Sequence, residues 1–88
     1  MTRKTVELGL FGVFRDCQPE PFLTLQVPVN GRVADVRQAL AEHGRRHWPR
    51  FNEPLLRRSV FASETTVLRD SDALPQGVLA ILPPVAGG

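Results

Sequence analysis

The first third of the chain alternates hydrophobic and polar residues in two runs, which is typical of β-strands with one buried face. The runs cover residues 6–14 and 22–29, and the intervening residues 16–21 are mostly polar and contain two prolines. Because this composition favours a turn, we predict a hairpin. Pro28 lacks the N–H group that a central strand needs, so the second strand is expected at a sheet edge. The residues that share one face are Val6, Leu8 and Leu10 in the first run and Leu23, Leu25, Val27 and Val29 in the second.

A helical pattern follows Asn30-Gly31. Hydrophobic residues then recur at spacings of three and four, which predicts a helix with one buried stripe. The stripe consists of Val33, Val36, Leu40 and His43. Gly44 is expected to stop this helix, because glycine is favoured just after a helix end.

The segment after this helix is expected to be irregular. Residues 45–54 contain Pro49 and Pro54, and proline inside a helix removes a hydrogen bond and clashes with the preceding turn. Trp48 and Phe51 are the large hydrophobic residues here, so we expect them to anchor the segment on the core.

The last third of the chain reads as short strands separated by turns. Residues 59–62 and 66–68 are short hydrophobic runs, and residues 70–77 are rich in turn formers. Residues 78–82 are continuously hydrophobic, as expected for a central strand. Pro83-Pro84 ends that strand and stiffens the last residues of the chain.

This element order predicts an α+β protein with two layers. One main helix covers one face of a mixed sheet of four to five strands, which is the β-grasp, or ubiquitin-like, roll. Residues 1–88 are expected to form a single domain, because a chain of 88 residues has only one small core. With the last strand central, residues 83–88 would protrude as an extended tail.

Composition narrows the class of protein. Hydrophobic residues make up 42% of the chain, and no hydrophobic run approaches the ~20 residues that span a bilayer. The first residues lead into the alternating run without a signal-peptide core, so a cytoplasmic protein without a membrane partner is expected. Cys17 is the only cysteine, which excludes an internal disulfide and a cysteine-based metal site.

The other groups of polar residues in the sequence do not predict a metal site or a catalytic site. His43 and His47 are four residues apart, but no third ligand is near them in sequence, so no metal site is expected. Asp70 and Asp72 fit a solvated turn. The serines of the chain have no histidine and aspartate arranged around them.

Positive charge is concentrated in one segment. Residues 43–58 contain five arginines against Glu53 alone, within a chain of net charge +2. Such a segment is a solvated surface, a site that steers an acidic partner, or a contact with nucleic acid. Nucleic acid is not expected as a partner, because the chain has no tyrosine and no glycine–aromatic RNA motif.

Two glycines, Gly87 and Gly88, end the sequence behind the stiff Pro83-Pro84 pair. Glycine has no Cβ atom, so this end can enter a slot too narrow for any other residue. The reactive group that it would present is the α-carboxylate of Gly88. Chemistry on that carboxylate is the leading functional hypothesis.

The tail motif, residues 79–88, resembles the end of the ThiS/MoaD sulfur carriers, and most of all that of the small subunit of molybdopterin synthase, where a strand runs into Pro-Pro-Val-x-Gly-Gly. Three further segments resemble the family's first strand, its helix and the turn before its last strand. They are residues 10–15, 33–40 and 70–77. Two features depart from the family: Arg32 stands where threonine often caps the helix, and the basic segment is longer than expected.

The resemblance implies a non-enzymatic co-substrate that binds no cofactor. A partner related to ubiquitin-activating enzymes, an adenylyltransferase, would use ATP to convert the Gly88 carboxylate to an acyl-adenylate. A sulfur donor, a sulfurtransferase or desulfurase, would then form a thiocarboxylate. The carrier would deliver this sulfur to a client such as the molybdopterin synthase large subunit. The residues expected to thread through the partner's slot are Pro83, Pro84, Val85, Ala86 and Gly87.

Phe11 and Leu82 are the expected partner-binding residues. Residue parity places both on the outer sheet face beside the tail, and the family has hydrophobic docking residues at the matching positions. Exposed hydrophobic residues beside the tail would anchor a small interface.

Three alternatives remain open. The first is a sulfur carrier for another product, such as thiazole, cysteine or a secondary metabolite. The second is a ubiquitin-like modifier joined through Gly88 to lysines of target proteins. The third is a docking module that uses only its sheet face.

Overall fold

Five strands form one mixed sheet in the computed structural model, which describes residues 2–84. The strands are β1 (Arg3–Leu10), β2 (Phe22–Pro28), β3 (Val60–Ala62), β4 (Val67–Leu68) and β5 (Leu79–Leu82). The helices are α1 (Val33–His47) and α2 (Glu53–Arg58), and a 3₁₀ helix spans Gly12–Cys17.

The strand order β2-β1-β5-β3-β4 confirms the predicted β-grasp roll. β1 and β2 form the predicted antiparallel hairpin, and β5 lies between β1 and β3, parallel to the first and antiparallel to the second. The hydrophobic run at residues 78–82 therefore does correspond to a central strand. β2 is an edge strand, which explains how Pro28 is accommodated without an N–H donor.

The core lies between the sheet and α1. The alternation of β1, β2 and β5 points one set of side chains at the helix, and the predicted stripe of α1 points back at them. The residues with no exposed surface are Leu8, Val33, Val36, Leu40, Phe61 and Ile81. Burying a side chain of this size contributes about 1.5–3 kcal/mol, so these contacts set the orientation of α1 on the sheet.

The first strand is displaced from the predicted residues 6–14: it begins at Arg3 and ends earlier than expected. β1 ends at Leu10 instead of continuing to Phe14, and the chain enters the 3₁₀ helix at Gly12. Gly12 has a φ of +59°, a left-handed conformation that glycine adopts without steric cost. Val13 is therefore exposed on the 3₁₀ helix, while Phe14 is buried. A strand pattern that contains glycine cannot show by itself where the strand stops.

Two expectations about the helices were wrong. Gly44 does not stop α1, which continues to His47; the missing side chain leaves room for the ring of Phe51. Pro54 does not break a helix but lies in the first turn of α2, where proline is tolerated. Asn52 caps that turn, since its Oδ1 accepts a hydrogen bond from the Leu55 N–H at 3.1 Å.

Trp48 and Phe51 anchor the segment between the two helices, as predicted. Trp48 is buried, and Phe51 is half-buried against the core. The Trp48 Nε1–H donates to the Gln18 Oε1 at 3.2 Å, which ties the end of α1 to the loop after the 3₁₀ helix.

Arg32 precedes α1 and offers no capping oxygen, so the cap is supplied by other groups. The Asp35 carboxylate accepts a hydrogen bond from the Arg32 N–H at 2.8 Å. The carbonyls of Asp72 and Asp70 accept from the N–H groups of Val33 and Ala34 at 3.0 Å. The turn before β5 therefore caps the helix through backbone groups that no sequence motif reveals.

Gly44→Ala is expected to lower the free energy of unfolding by about 1–2 kcal/mol. A Cβ atom at this position would lie 2.6 Å from Phe51 Cε1, and overpacking costs about 1–3 kcal/mol, partly offset by the helix propensity of alanine, about 0.8–1 kcal/mol. Urea unfolding measures the change. Gln38→Ala on the exposed face of α1 is the control; a Gly44→Ala protein as stable as that control would contradict the predicted clash.

Candidate functional site

The tail begins at the end of the central strand. β5 is hydrogen-bonded to β1 on one side and to β3 on the other, and Pro83 and Pro84 follow directly. Two flanking strands fix the position and direction of Leu82, so they also fix where the tail leaves the sheet. Val85, Ala86 and Gly87, which are predicted to thread into a partner, and Gly88, whose carboxylate is predicted to react, lie outside the described residues.

Gly12 and Pro83 are in close contact at the tail exit. A Cβ atom at Gly12 would lie 2.6 Å from Pro83 Cγ, so only glycine leaves room for this proline ring. The first turn of the 3₁₀ helix therefore supports the first residue of the tail. No sequence pattern revealed this role of Gly12, which lay inside the predicted strand of residues 6–14; a glycine within a strand pattern was the available signal.

The outer sheet face carries a groove beside the tail. Strand register aligns Gly9 with Ala80 and Ala80 with Ala62, so small residues form its floor. A Cβ atom at Gly9 would lie 3.3 Å from Phe11 Cε1 and 3.6 Å from Phe22 Cε1, which places both rings over the glycine. The groove measures about 280 Å³ and is mostly hydrophobic.

Phe11 directly follows β1, and Leu82 is the last residue of the neighbouring strand β5. Their preceding residues, Leu10 and Ile81, are register partners. Phe11 is 50% exposed, and Leu82 is half-buried. Six further large hydrophobic residues are exposed within residues 2–84, and none was predicted from the sequence to bind a partner. Outward parity was the available signal for Phe22, Val60, Val67 and Val78; the other two are Val13 and Val29.

The other candidate side chains are those of His43, His47 and Cys17. The rings of His43 and His47 are 4.6 Å apart, and burial together with the charge of His47 lowers the pKa of His43. Cys17 is half-buried, and burial raises the pKa of its thiol, which reduces the reactive thiolate fraction. Within residues 2–84 no three potential ligands meet to hold a metal ion, and no helix there is long and apolar enough to cross a membrane.

Known proteins resemble this chain in sequence and in fold. The molybdopterin synthase sulfur carrier subunit of Synechococcus elongatus is 37% identical over 82 residues, which cover 91% of this chain and 88% of that protein. The crystal structure of SAMP1 from Haloferax volcanii matches with a TM-score of 0.71 at 22% identity, over 97% of this chain and 100% of that one; this likeness concerns the fold. No protein-family model matches. By its identity to the cyanobacterial subunit over almost its whole length, the chain belongs to the ThiS/MoaD family of ubiquitin-like sulfur carriers.

Proposed function

We propose that the chain carries sulfur as a thiocarboxylate on Gly88 and donates it in molybdopterin synthesis. The observation that carries this proposal is the tail exit: a central strand, held on both sides, delivers the chain to Pro83 at a fixed point. Identity to a molybdopterin synthase sulfur carrier subunit supports the choice of pathway.

The chemistry requires a partner enzyme, because a carboxylate is a poor electrophile. Attack of the Gly88 carboxylate on the α-phosphate of ATP releases pyrophosphate and gives an acyl-adenylate. The outer sulfur of a persulfide on the sulfur donor then attacks the acyl carbon, and AMP leaves. A thiol attacks the donor's sulfur in the resulting acyl disulfide, so the thiocarboxylate stays on Gly88 and the donor and the thiol form a disulfide. The catalytic groups and the ATP site belong to the adenylyltransferase, so this chain acts as a co-substrate. Its own contribution is to present the tail and to dock through the outer sheet face.

The test is the intact mass of the chain after incubation with its adenylyltransferase, ATP and a sulfur donor. Exchange of oxygen for sulfur at an activated carboxylate adds about 16 Da. An unchanged mass, with a partner shown to be active, would rule out sulfur transfer. Conjugates between Gly88 and target lysines, found instead of the thiocarboxylate, would identify a protein modifier.

Phe11→Ser is expected to weaken binding to the molybdopterin synthase large subunit by about tenfold. The substitution removes a half-exposed ring from the groove beside the tail, while the buried core stays intact. Calorimetry with the large subunit measures the change. Val29→Ser, an exposed residue after β2 at the opposite end of the sheet, is the matched control. Equal affinities of the two variants would exclude this groove from the interface.

A further inference from the structure

The end of the molecule from which the tail leaves is cationic. β1, β5 and α1 all run toward this end, which we call the tail pole and define as residues 11–21 and 43–58. The pole carries six arginines and three carboxylates, a net charge of +3, whereas the whole chain carries +2. The rest of the molecule is therefore slightly negative, and its charge is strongly polarised toward the tail.

Two arginines of the pole belong to elements that adjoin the root of the tail. Arg58 ends α2 two residues before Val60, the register partner of Leu82. Arg50 lines a hollow with Asp16 and Cys17, which belong to the 3₁₀ helix. Gly12, the first residue of that helix, contacts Pro83.

Both of these arginines are uncommitted within residues 2–84. Arg50 and Arg58 are exposed and form no ion pair or side-chain hydrogen bond with the described part of the chain. Arg45 differs, because it pairs with Glu53 at 2.6 Å. Arg37 pairs with Asp70 at 2.8 Å. The fold thus neutralises some of its arginines and leaves Arg50 and Arg58, like Arg46 and Arg57, without an ion pair in residues 2–84.

We infer that Arg50 and Arg58 dock an acidic protein surface bordering the slot that receives the tail. Any protein that takes in the tail must face the tail pole, so its rim meets these two cations. Opposite charge there would steer association and orient the tail before the tail enters. The inference rests on the proposed function only in taking a partner to receive the tail.

Nucleic acid fits this surface less well. Proteins that bind single strands interleave cations with exposed aromatic rings on which bases stack. In the pole, Trp48 and Phe14 are buried. Of the phenylalanine and tryptophan rings of the pole, Phe11 alone is exposed, and it lies with Phe22 over Gly9 on the outer sheet face; one such ring does not form the interleaved series that binding of single strands uses.

The test is the dissociation constant of the complex with the adenylyltransferase, measured without ATP at about 50 mM and about 300 mM salt. R50E/R58E is expected to weaken binding at low salt by about tenfold and to remove most of the salt dependence. R3E/K4E makes the same change in net charge at the opposite end of β1 and is expected to bind like the wild type. Circular dichroism and thermal unfolding verify that both variants fold.

Equal affinity of the two variants would overturn the inference, because the position of the reversed charges would then have no effect on binding. Tighter, arginine-dependent binding of a single-stranded RNA than of the enzyme would overturn it in favour of nucleic acid. Arginine-dependent binding without any gain of sulfur mass would sink the proposed function and leave this docking surface standing. A gain of sulfur mass together with wild-type binding of R50E/R58E would overturn the docking inference and leave the proposed function standing.

Discussion

Deletion of Gly88 is expected to slow thiocarboxylate formation by more than about a hundredfold. The shortened chain still presents a carboxylate, on Gly87, but one residue spans about 3.3–3.6 Å of extended chain. Misplacing a reacting group by even about 1 Å can cost about a hundredfold in rate. The tail cannot slide forward to compensate, because its root is held between two strands and against Gly12.

The rate of thiocarboxylate formation and the thermal stability of the deleted chain together separate this effect from a folding defect. The deletion lies beyond the described core, so thermal unfolding is expected to match the wild type. Single-turnover formation of the thiocarboxylate, followed by mass spectrometry, gives the rate. Gly88→Ala keeps the chain length and adds only a Cβ atom, so it reports how narrow the slot is. A deleted chain that acquires sulfur at the wild-type rate would remove Gly88 from the reaction.

The elements in which hydrophobic residues recur at a regular spacing were predictable from the sequence. Hydrophobic and polar residues alternate strictly in β2, and hydrophobic residues recur at spacings of three and four in α1, because each element buries one face. The predicted bounds of both elements lie within a few residues of the observed ones. The central position of β5 followed from its unbroken hydrophobic run. These features depend on neighbours along the chain, which is the information that a sequence pattern contains.

The features that were missed depend on distant residues. Gly44 lies inside α1 because Phe51, seven residues later, fills the space that a side chain would take. The cap of α1 comes from carbonyls of Asp70 and Asp72 in the turn before β5. The end of β1 is set by a left-handed Gly12 that packs on Pro83, at the other end of the chain.

The candidate site also combines features that local sequence patterns predict with features that depend on distant residues. Parity predicted that Phe11 faces outward, and Phe11 is exposed; the threading role of the tail residues stays a prediction from their motif. Neither parity nor the motif could show that Gly9, Ala80 and Ala62 align across three strands into a groove floor, since that alignment is a matter of register. The proximity of Arg58 to the tail also follows only from the pairing of β3 with β5.

Gly12→Ala is expected to lower the free energy of unfolding by about 2–5 kcal/mol. Two costs add. A left-handed φ of +59° costs a non-glycine residue about 1–2 kcal/mol. The new Cβ atom also overlaps the Pro83 ring, and overpacking costs about 1–3 kcal/mol. Relief of the overlap moves Pro83, so the KM for the carrier in the adenylation reaction is expected to rise about tenfold as the tail is redirected.

Two comparisons isolate the contact with Pro83. Gly77 also has a positive φ, of +98°, but open space around its missing Cβ atom, so Gly77→Ala carries backbone strain without the overlap and is expected to leave the KM unchanged. In a Pro83→Ala background the ring is gone, and Gly12→Ala is expected to cost only its backbone strain. The cycle formed by these two substitutions should therefore show a coupling of about 1–3 kcal/mol. A coupling of zero would mean that Gly12 acts through its backbone conformation alone and does not hold the tail.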